Sequence, residues 1–227
     1  MCNLYSYTRA QAEAIALARA LRDKAGNLPP LPAIFPDHFA PVIRTGDDGV
    51  RELVRLRWGM PTPPSFLKGA IDRGVTNIRN TKSAHWRRWL TPQYRCLVPA
   101  TSFCEPTDDP NPVTKKKDWV WFALSPERPV FFFAGIWGKW NGTRGTKANP
   151  ATGDHELYGF LTTDPNGDVS QVHTKAMPVI LTAPDQFEAW MTRPIAEAIQ
   201  LQRPLSDGIL SIVARGSEKQ DQLASLG

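Results

Sequence analysis

The chain has 227 residues, 41% hydrophobic and 22% charged, with 27 Lys and Arg against 22 Asp and Glu for a formal charge of +5. That composition excludes a disordered chain, and the length can bury a core without covalent staples. Three cysteines with no CxxC pair exclude a closed disulfide scaffold; no apolar run approaches a membrane span, and Met1-Cys2-Asn3-Leu4-Tyr5 has no signal-peptide pattern, so a soluble, cytoplasmic protein is expected.

In chain order, Thr8 and Gln11 predict a capping box for a first helix. Its apolar stripe is Ala14, Leu17, Ala18 and Leu21, and it ends near Gly26 and Pro29-Pro30. Strands are predicted where Val54, Leu56 and Trp58 alternate, and at 94–98, 119–124, 130–136 and 157–162, which are β-branched or aromatic runs. Segments 107–118, with the Lys115-Lys116-Lys117 run, and 141–154, rich in Gly, Thr and Lys, read as surface loops joining hairpins. A short strand at 177–181 leads to Thr182 as a cap, with Asp185 three residues on. The helix that follows buries Phe187, Trp190 and Met191; 195–201 reads as further helical turns and 209–213 as a closing strand. Strands in the middle with helices at the ends predict an α+β fold: one domain over 1–227, largely antiparallel, its sheet curled toward a barrel with flanking helices. No GxGxxG follows a strand, which argues against a dinucleotide fold.

The charge is concentrated. Residues 51–95 hold ten Lys and Arg against Glu52 and Asp72, a balance of +8 that leaves −3 for the rest of the chain. Trp58, Phe66, Trp86, Trp89 and Tyr94 are interleaved with these cations. Cations with aromatics suit a single-stranded nucleic acid, whose backbone needs positive charge and whose bases need stacking surfaces; Trp58 is a candidate for such a contact. No long amphipathic helix carries these cations, which argues against a membrane surface.

Cys2 is the most informative residue. Loss of Met1 would leave a 1,2-aminothiol, with an amine of intrinsic pKa roughly 8 beside a thiol of roughly 8.5. Both groups can attack one carbon. An aldehyde would give an imine with the amine, and the thiol could then close a five-membered thiazolidine. A second chemistry open to this terminus is amide hydrolysis, with the thiol as nucleophile and its own amine as base.

Several motifs accompany Cys2 in order: Arg57-Trp58-Gly59, Asn77-Ile78-Arg79, Cys96-Leu97-Val98-Pro99-Ala100 leading to Glu105, and His173 followed by Ala176-Met177-Pro178-Val179-Ile180-Leu181. With these the chain resembles the SRAP family, the SOS response-associated peptidases that process abasic sites. The likeness covers residues 1 to about 182, with 183–227 as a helical tail region. It implies covalent capture of abasic sites in single-stranded DNA through Cys2 and removal of Met1 (self-removal included); separately, an imine at the anomeric carbon would acidify the neighbouring carbon, so weak strand-cleaving lyase activity is expected when thiazolidine closure is blocked. It also implies that Asn77, Glu105 and His173 complete the active site, that Arg79 and Arg87 bind phosphates, and that Lys175 adds a basic contact. The family most often begins Cys-Gly-Arg, whereas Asn3 and Leu4 stand here; Thr81 replaces an acidic residue and Pro106 an aromatic.

Chemistry gives these residues roles in their own right. An abasic sugar is mostly a closed hemiacetal, and opening it needs a proton on the ring oxygen and loss of one from the anomeric hydroxyl. A carboxyl and an imidazole can supply such transfers, each worth about 10²–10⁴-fold. Glu105 is assigned to the amine and anomeric carbon, His173 to the ring oxygen, and Asn77 to orienting the Cys2 amine or the sugar. Cys96 and Cys104 read as buried apolar residues, and with the histidines they have no ligand-like spacing, so neither metal nor cofactor is expected. The expected partner is abasic single-stranded DNA, bound by a monomer. The alternatives are an N-terminal-cysteine amidohydrolase or peptidase and a non-enzymatic single-strand-binding module.

Overall fold

The computed structural model describes residues 2–221. In chain order its elements are β1 (Tyr5–Tyr7), α1 (Gln11–Leu17), β2 (Arg22–Asp23), β3 (Leu31–Ile34), β4 (Phe39–Thr45), β5 (Arg51–Trp58), β6 (Asn77–Ile78), β7 (Arg95–Ala100), β8 (Ser102–Pro106) and β9 (Trp119–Ala123). Then follow β10 (Phe131–Gly145), β11 (Pro150–Thr163), α2 (Gly167–Ser170), β12 (Met177–Pro178), β13 (Ile180–Leu181), α3 (Pro184–Thr192), α4 (Ile195–Ala198) and β14 (Ser211–Gly216). Strands β11, β10, β7, β4 and β5 pair in that order, and a parallel pairing of β11 with β5 closes the ring into a five-stranded barrel. Closure removes the free sheet edges of those strands. A second sheet, ordered β14-β9-β8-β1-β3, packs beside it. The fold is therefore α+β, mainly antiparallel and curled into a barrel. Among the described residues no helix is long and apolar enough to cross a membrane.

The core is aromatic where the two sheets meet. Tyr5 meets the edge of Trp58 at 5.2 Å and of Phe133 at 5.5 Å, and Trp58 stacks on Phe160 at 5.2 Å. Such offset and edge contacts add about 0.5–1.5 kcal/mol each beyond the burial of area. The Tyr5 and Tyr158 hydroxyls share a 2.6 Å hydrogen bond, so their buried oxygens are satisfied. The Arg57-Trp58-Gly59 motif also has a local reason. Gly59 and Gly74, with φ of 129° and 75°, flank the buried Arg144 guanidinium, and a Cβ at either would lie 2.4 Å from it. Arg144 is held by Asp37 at 3.3 Å and Asp72 at 3.8 Å.

Several local expectations are corrected. Thr8 does not cap the first helix: its hydroxyl pairs with Thr101, Ala10 occupies the cap position, and Gln11 instead bonds Asp23, Gly26 and Leu28. The helix stops at Leu17, and Leu21 is exposed, because residues 22–23 join β5 as a short parallel strand. Nor is Thr182 the cap of α3. Gln186 reaches back to accept from the amides of Thr182 and Ala183, with Pro184 opening the helix. Its buried face is Phe187, Trp190 and Met191, as the apolar spacing predicts. Segment 141–154 is a correction of another kind: β10 and β11 continue through it as a regular ladder to the pair Gly145–Pro150. Its Gly and Thr content disguised a hairpin arm whose residues, the buried Arg144 apart, are half-buried or exposed. Segment 107–118 contains no strand, as predicted, but it is tied down by Asn111 on Asp118 and by the Asp108 amide on the Val172 carbonyl.

Candidate active site

β1 is buried at all three residues, and the reason is the aromatic cluster around Tyr5. It pairs antiparallel with β8, with Tyr5 opposite Phe103 and Ser6 opposite Ser102, and the Cys104 amide donates to Leu4. Continuing that register one step at a time carries Cys2 toward Glu105 and Pro106. Cys2 is fully buried, and its thiol donates to the Leu4 carbonyl at 3.5 Å.

Asn77 arrives from another direction. β6 runs parallel to β11, with Asn77 paired to Phe160. The Asn77 amide nitrogen donates to the Cys2 carbonyl at 2.8 Å, and also to Thr76 Oγ1 at 2.8 Å and Asn3 Oδ1 at 3.2 Å. Thr76 in turn donates to Asn3 at 3.0 Å. The asparagine thus clamps the chain start by its carbonyl.

His173 follows α2, whose Asn166 caps the helix by accepting from the Val169 amide, and the His173 amide donates to Val169. The buried ring lies with Nε2 3.6 Å from Glu105 Oε2 and Nδ1 3.3 Å from Asp108 Oδ1. The four residues singled out in the sequence are therefore gathered: Cys2 and Asn77 by a hydrogen bond, Glu105 and His173 by facing polar atoms. Glu105 also acts on Cys2 through its field.

Electrostatics set the protonation states. Burial, aided by the nearby Asp108 charge, pushes Glu105 up to about 8. Burial depresses His173, with Lys175 adding to the effect and Asp108 opposing it. At neutral pH Glu105 mostly carries its proton and His173 mostly does not. Burial and the Glu105 charge raise the Cys2 thiol well above the ordinary thiol range. The buried sulfur thus departs from the ordinary thiol of roughly 8.5 that the sequence alone suggests, and it is neutral until a base accepts its proton.

The proposed DNA contacts divide. Arg87 and Lys175 are exposed. Arg79 is exposed too, but it donates to the Thr163 carbonyl at 2.6 Å and pairs with Asp164. Trp58 is a correction: it is wholly inside the core and its indole N–H donates to the Thr76 carbonyl, so it cannot stack on a base. Trp86 and Trp89 are buried as well, whereas Phe66 is 73% exposed. The basic run shrinks on folding. Arg51 pairs with Glu188, Arg57 with Asp37, and Arg95 is buried with its pKa lowered to about 10. Arg55, Lys68, Arg73, Lys82, Arg87 and Arg88 remain on the surface.

Cys96 and Cys104 are buried free thiols, and no group of three or more metal-ligating side chains occurs among the described residues. Met1, whose removal is expected, lies outside the described residues. The residues that sequence reasoning missed are Asp108 and Thr174. Their signal was adjacency: one stands three positions after Glu105, the other directly after His173.

A family model described as SOS response associated peptidase (SRAP) matches residues 1–214. No curated protein matches the chain. Among solved structures, a protein from Bacteroides thetaiotaomicron is similar at 21% identity and a TM-score of 0.69, over 92% of this chain and 90% of that one. A protein from Bordetella bronchiseptica is similar at 21% identity and a TM-score of 0.68, over 95% and 98%. A phage-related protein from the same organism is similar at 19% identity and a TM-score of 0.64, over 92% of each chain. At these identities the likeness is one of fold.

Proposed function

This chain belongs to the SRAP family, and from that premise we propose that it captures abasic sites in single-stranded DNA covalently through Cys2. Membership supports a DNA-damage-associated function; the particular chemistry is the reading advanced here. The observation that carries it is the convergence of the chain start on a buried acid–base pair, with Asn77 bonded to the Cys2 carbonyl and Glu105 and His173 facing each other at 3.6 Å.

Hydrolysis of the Met1–Cys2 peptide bond, consuming one water, would free the Cys2 amine. That amine adds to C1′ of the ring-opened sugar, and the carbinolamine expels water to give an imine. The thiol then adds its sulfur to the same carbon while its proton goes to the imine nitrogen. Aldehyde plus aminothiol becomes thiazolidine plus water. A protonated carboxyl can assist departure of water, and a neutral imidazole can accept a proton, which is the protonation pattern the burial produces. Arg87 and Lys175 are available to phosphates, and Arg79 becomes so if it exchanges Asp164 for one. Blocking thiazolidine closure leaves the imine, whose acidified neighbouring carbon permits elimination of the 3′ phosphate and so weak lyase activity.

The test is intact mass spectrometry of the purified protein with an abasic oligonucleotide. Loss of Met1 and an adduct of protein plus oligonucleotide minus one water are expected. Cys2→Ala should form no heat-stable adduct, and persistence of one would overturn the reading. Turnover of amides without affinity for DNA would favour an N-terminal-cysteine amidohydrolase instead. Binding indifferent to both the lesion and Cys2 would favour a simple single-strand-binding module.

A further inference from the structure

We infer that Asp108 is a positioning residue that fixes His173 with Nδ1 toward the 107–118 segment and Nε2 toward Glu105, so that one proton can pass between Glu105 and His173. The inference rests on the reading of the site given above, but its geometry does not. Asp108 is built into place. Its backbone amide donates to the Val172 carbonyl at 2.9 Å, and its Oδ2 accepts from the Thr174 amide at 2.8 Å and the Thr174 hydroxyl at 2.6 Å. The other carboxylate oxygen, Oδ1, faces His173 Nδ1 at 3.3 Å. The two segments that carry the acid–base pair are thereby stitched together at a single residue, through its backbone amide and its carboxylate.

The consequence is chemical. A carboxylate beside Nδ1 favours a proton on that nitrogen and leaves the Nε2 lone pair facing Glu105, and it stabilises the imidazolium once Nε2 is protonated. The relay is balanced: Glu105 gives its proton to Nε2, the imidazolium passes it to the sugar ring oxygen, and the Glu105 carboxylate takes one from the anomeric hydroxyl. At the end of ring opening each group has its starting protonation. The titratable and charged groups around the imidazole are Glu105 on β8, facing Nε2, Asp108 on the following segment, facing Nδ1, and Lys175 on its own segment. Asp108 is held ionised below the usual carboxylate range, first by its bonds from Thr174.

Asp108→Asn removes the charge while keeping the size. The first readout is the NMR titration and tautomer of His173 in DNA-free protein. We expect its midpoint to fall by about one pH unit and the Nδ1–H tautomer to lose population. The second is the pH profile of single-turnover capture of an abasic oligonucleotide. Asp108 raises both Glu105 and His173, so both limbs of the bell should move to lower pH, with the rate at neutral pH falling about tenfold and affinity for an intact single strand unchanged. A purely structural role would lower the bell without moving its limbs. Thr174→Val, which removes one of the bonds holding Asp108, should shift His173 in the same direction by less, and it serves if Asp108→Asn fails to fold. An unchanged His173 titration and tautomer in both variants would overturn the inference. If His173 responds but the unaltered protein captures no abasic strand, the functional reading falls and the positioning role stands.

Discussion

Two buried carboxylates of β8 and its surroundings show how pairing decides chemistry. Asp221 is 1% exposed and lies in a polar cluster: it accepts from Arg128 Nε and Nη2 at 2.8 Å each and from the Ser102 hydroxyl at 2.5 Å. Glu105 is 0% exposed and faces the His173 imidazole, and its charge acts on the Cys2 thiol. A carboxylate bonded bidentately to a guanidinium gains charge-assisted hydrogen bonds in a fixed geometry and acts as a fastener. A carboxyl buried beside a neutral imidazole keeps its proton to a pH near 8 and can exchange it. Equal burial thus produces a clasp in one place and an acid–base group in the other.

The comparison breaks most sharply at Arg128. Arg128→Ala would leave the Asp221 charge buried without its cation, and should cost about 3–5 kcal/mol in stability, read as the urea midpoint. The rate of abasic capture by the folded fraction should stay near that of the unaltered protein; a selective loss of capture would mean the clasp is part of the site. Glu105→Gln is the converse, with an expected slowing of capture by roughly a hundredfold or more.

Glu105→Gln also has a signed effect on stability. The folded-state pKa of Glu105 is raised from the usual 4.5 to about 8, so the folded protein holds a proton that the unfolded chain releases across that window. Stability contributed by that proton is present below pH 4.5 and is lost as pH rises through about 8. The variant should therefore gain on the unaltered protein between pH 5 and pH 9, by roughly 4 kcal/mol, measured by denaturant unfolding at each pH. A difference independent of pH would remove the buried proton from the account. His173 has the opposite sign: its depressed pKa favours the neutral ring, and that contribution is lost as pH falls below the ordinary histidine range.

The smallest effect concerns Arg79. Its ion pair with Asp164 is exposed, so Arg79→Ala should change folding stability by less than about 1 kcal/mol. Single-strand binding should weaken, with the salt slope reduced by about 0.7. An unchanged slope would take Arg79 out of the phosphate contacts.

Much of the architecture was legible where burial is dense. The strands at 119–124 and 130–136, and the apolar face of α3, announced themselves because each packs a continuous apolar surface. Strands β1, β3, β4 and β8 were not read out, being short or carrying Pro, Ser and Thr whose hydroxyls pair across the sheet, as Ser6 does with Thr101 and Ser102. Charge was the most misleading signal. A run of ten cations says nothing about which of them will meet an acid from elsewhere in the chain, and Arg57, Arg51 and Arg79 all do. The interleaved tryptophans misled for the same reason, since their period along the chain is that of core positions.

The amino-acid order by itself determined which side chains are available to the proposed site: Cys2 near the chain start, and Asn77, Glu105 and His173 further along. Side-chain identity is a local property and needs no folding to be read. Only the tertiary structure decided their states. Burial set the Glu105 proton and the neutrality of the His173 ring, the β1–β8 register brought Cys2 beside Glu105, and Asp108 came to face His173 across a chain separation that no spacing reveals. Desolvation and pairing depend on what arrives from elsewhere in the chain, so they exist only once the barrel has closed.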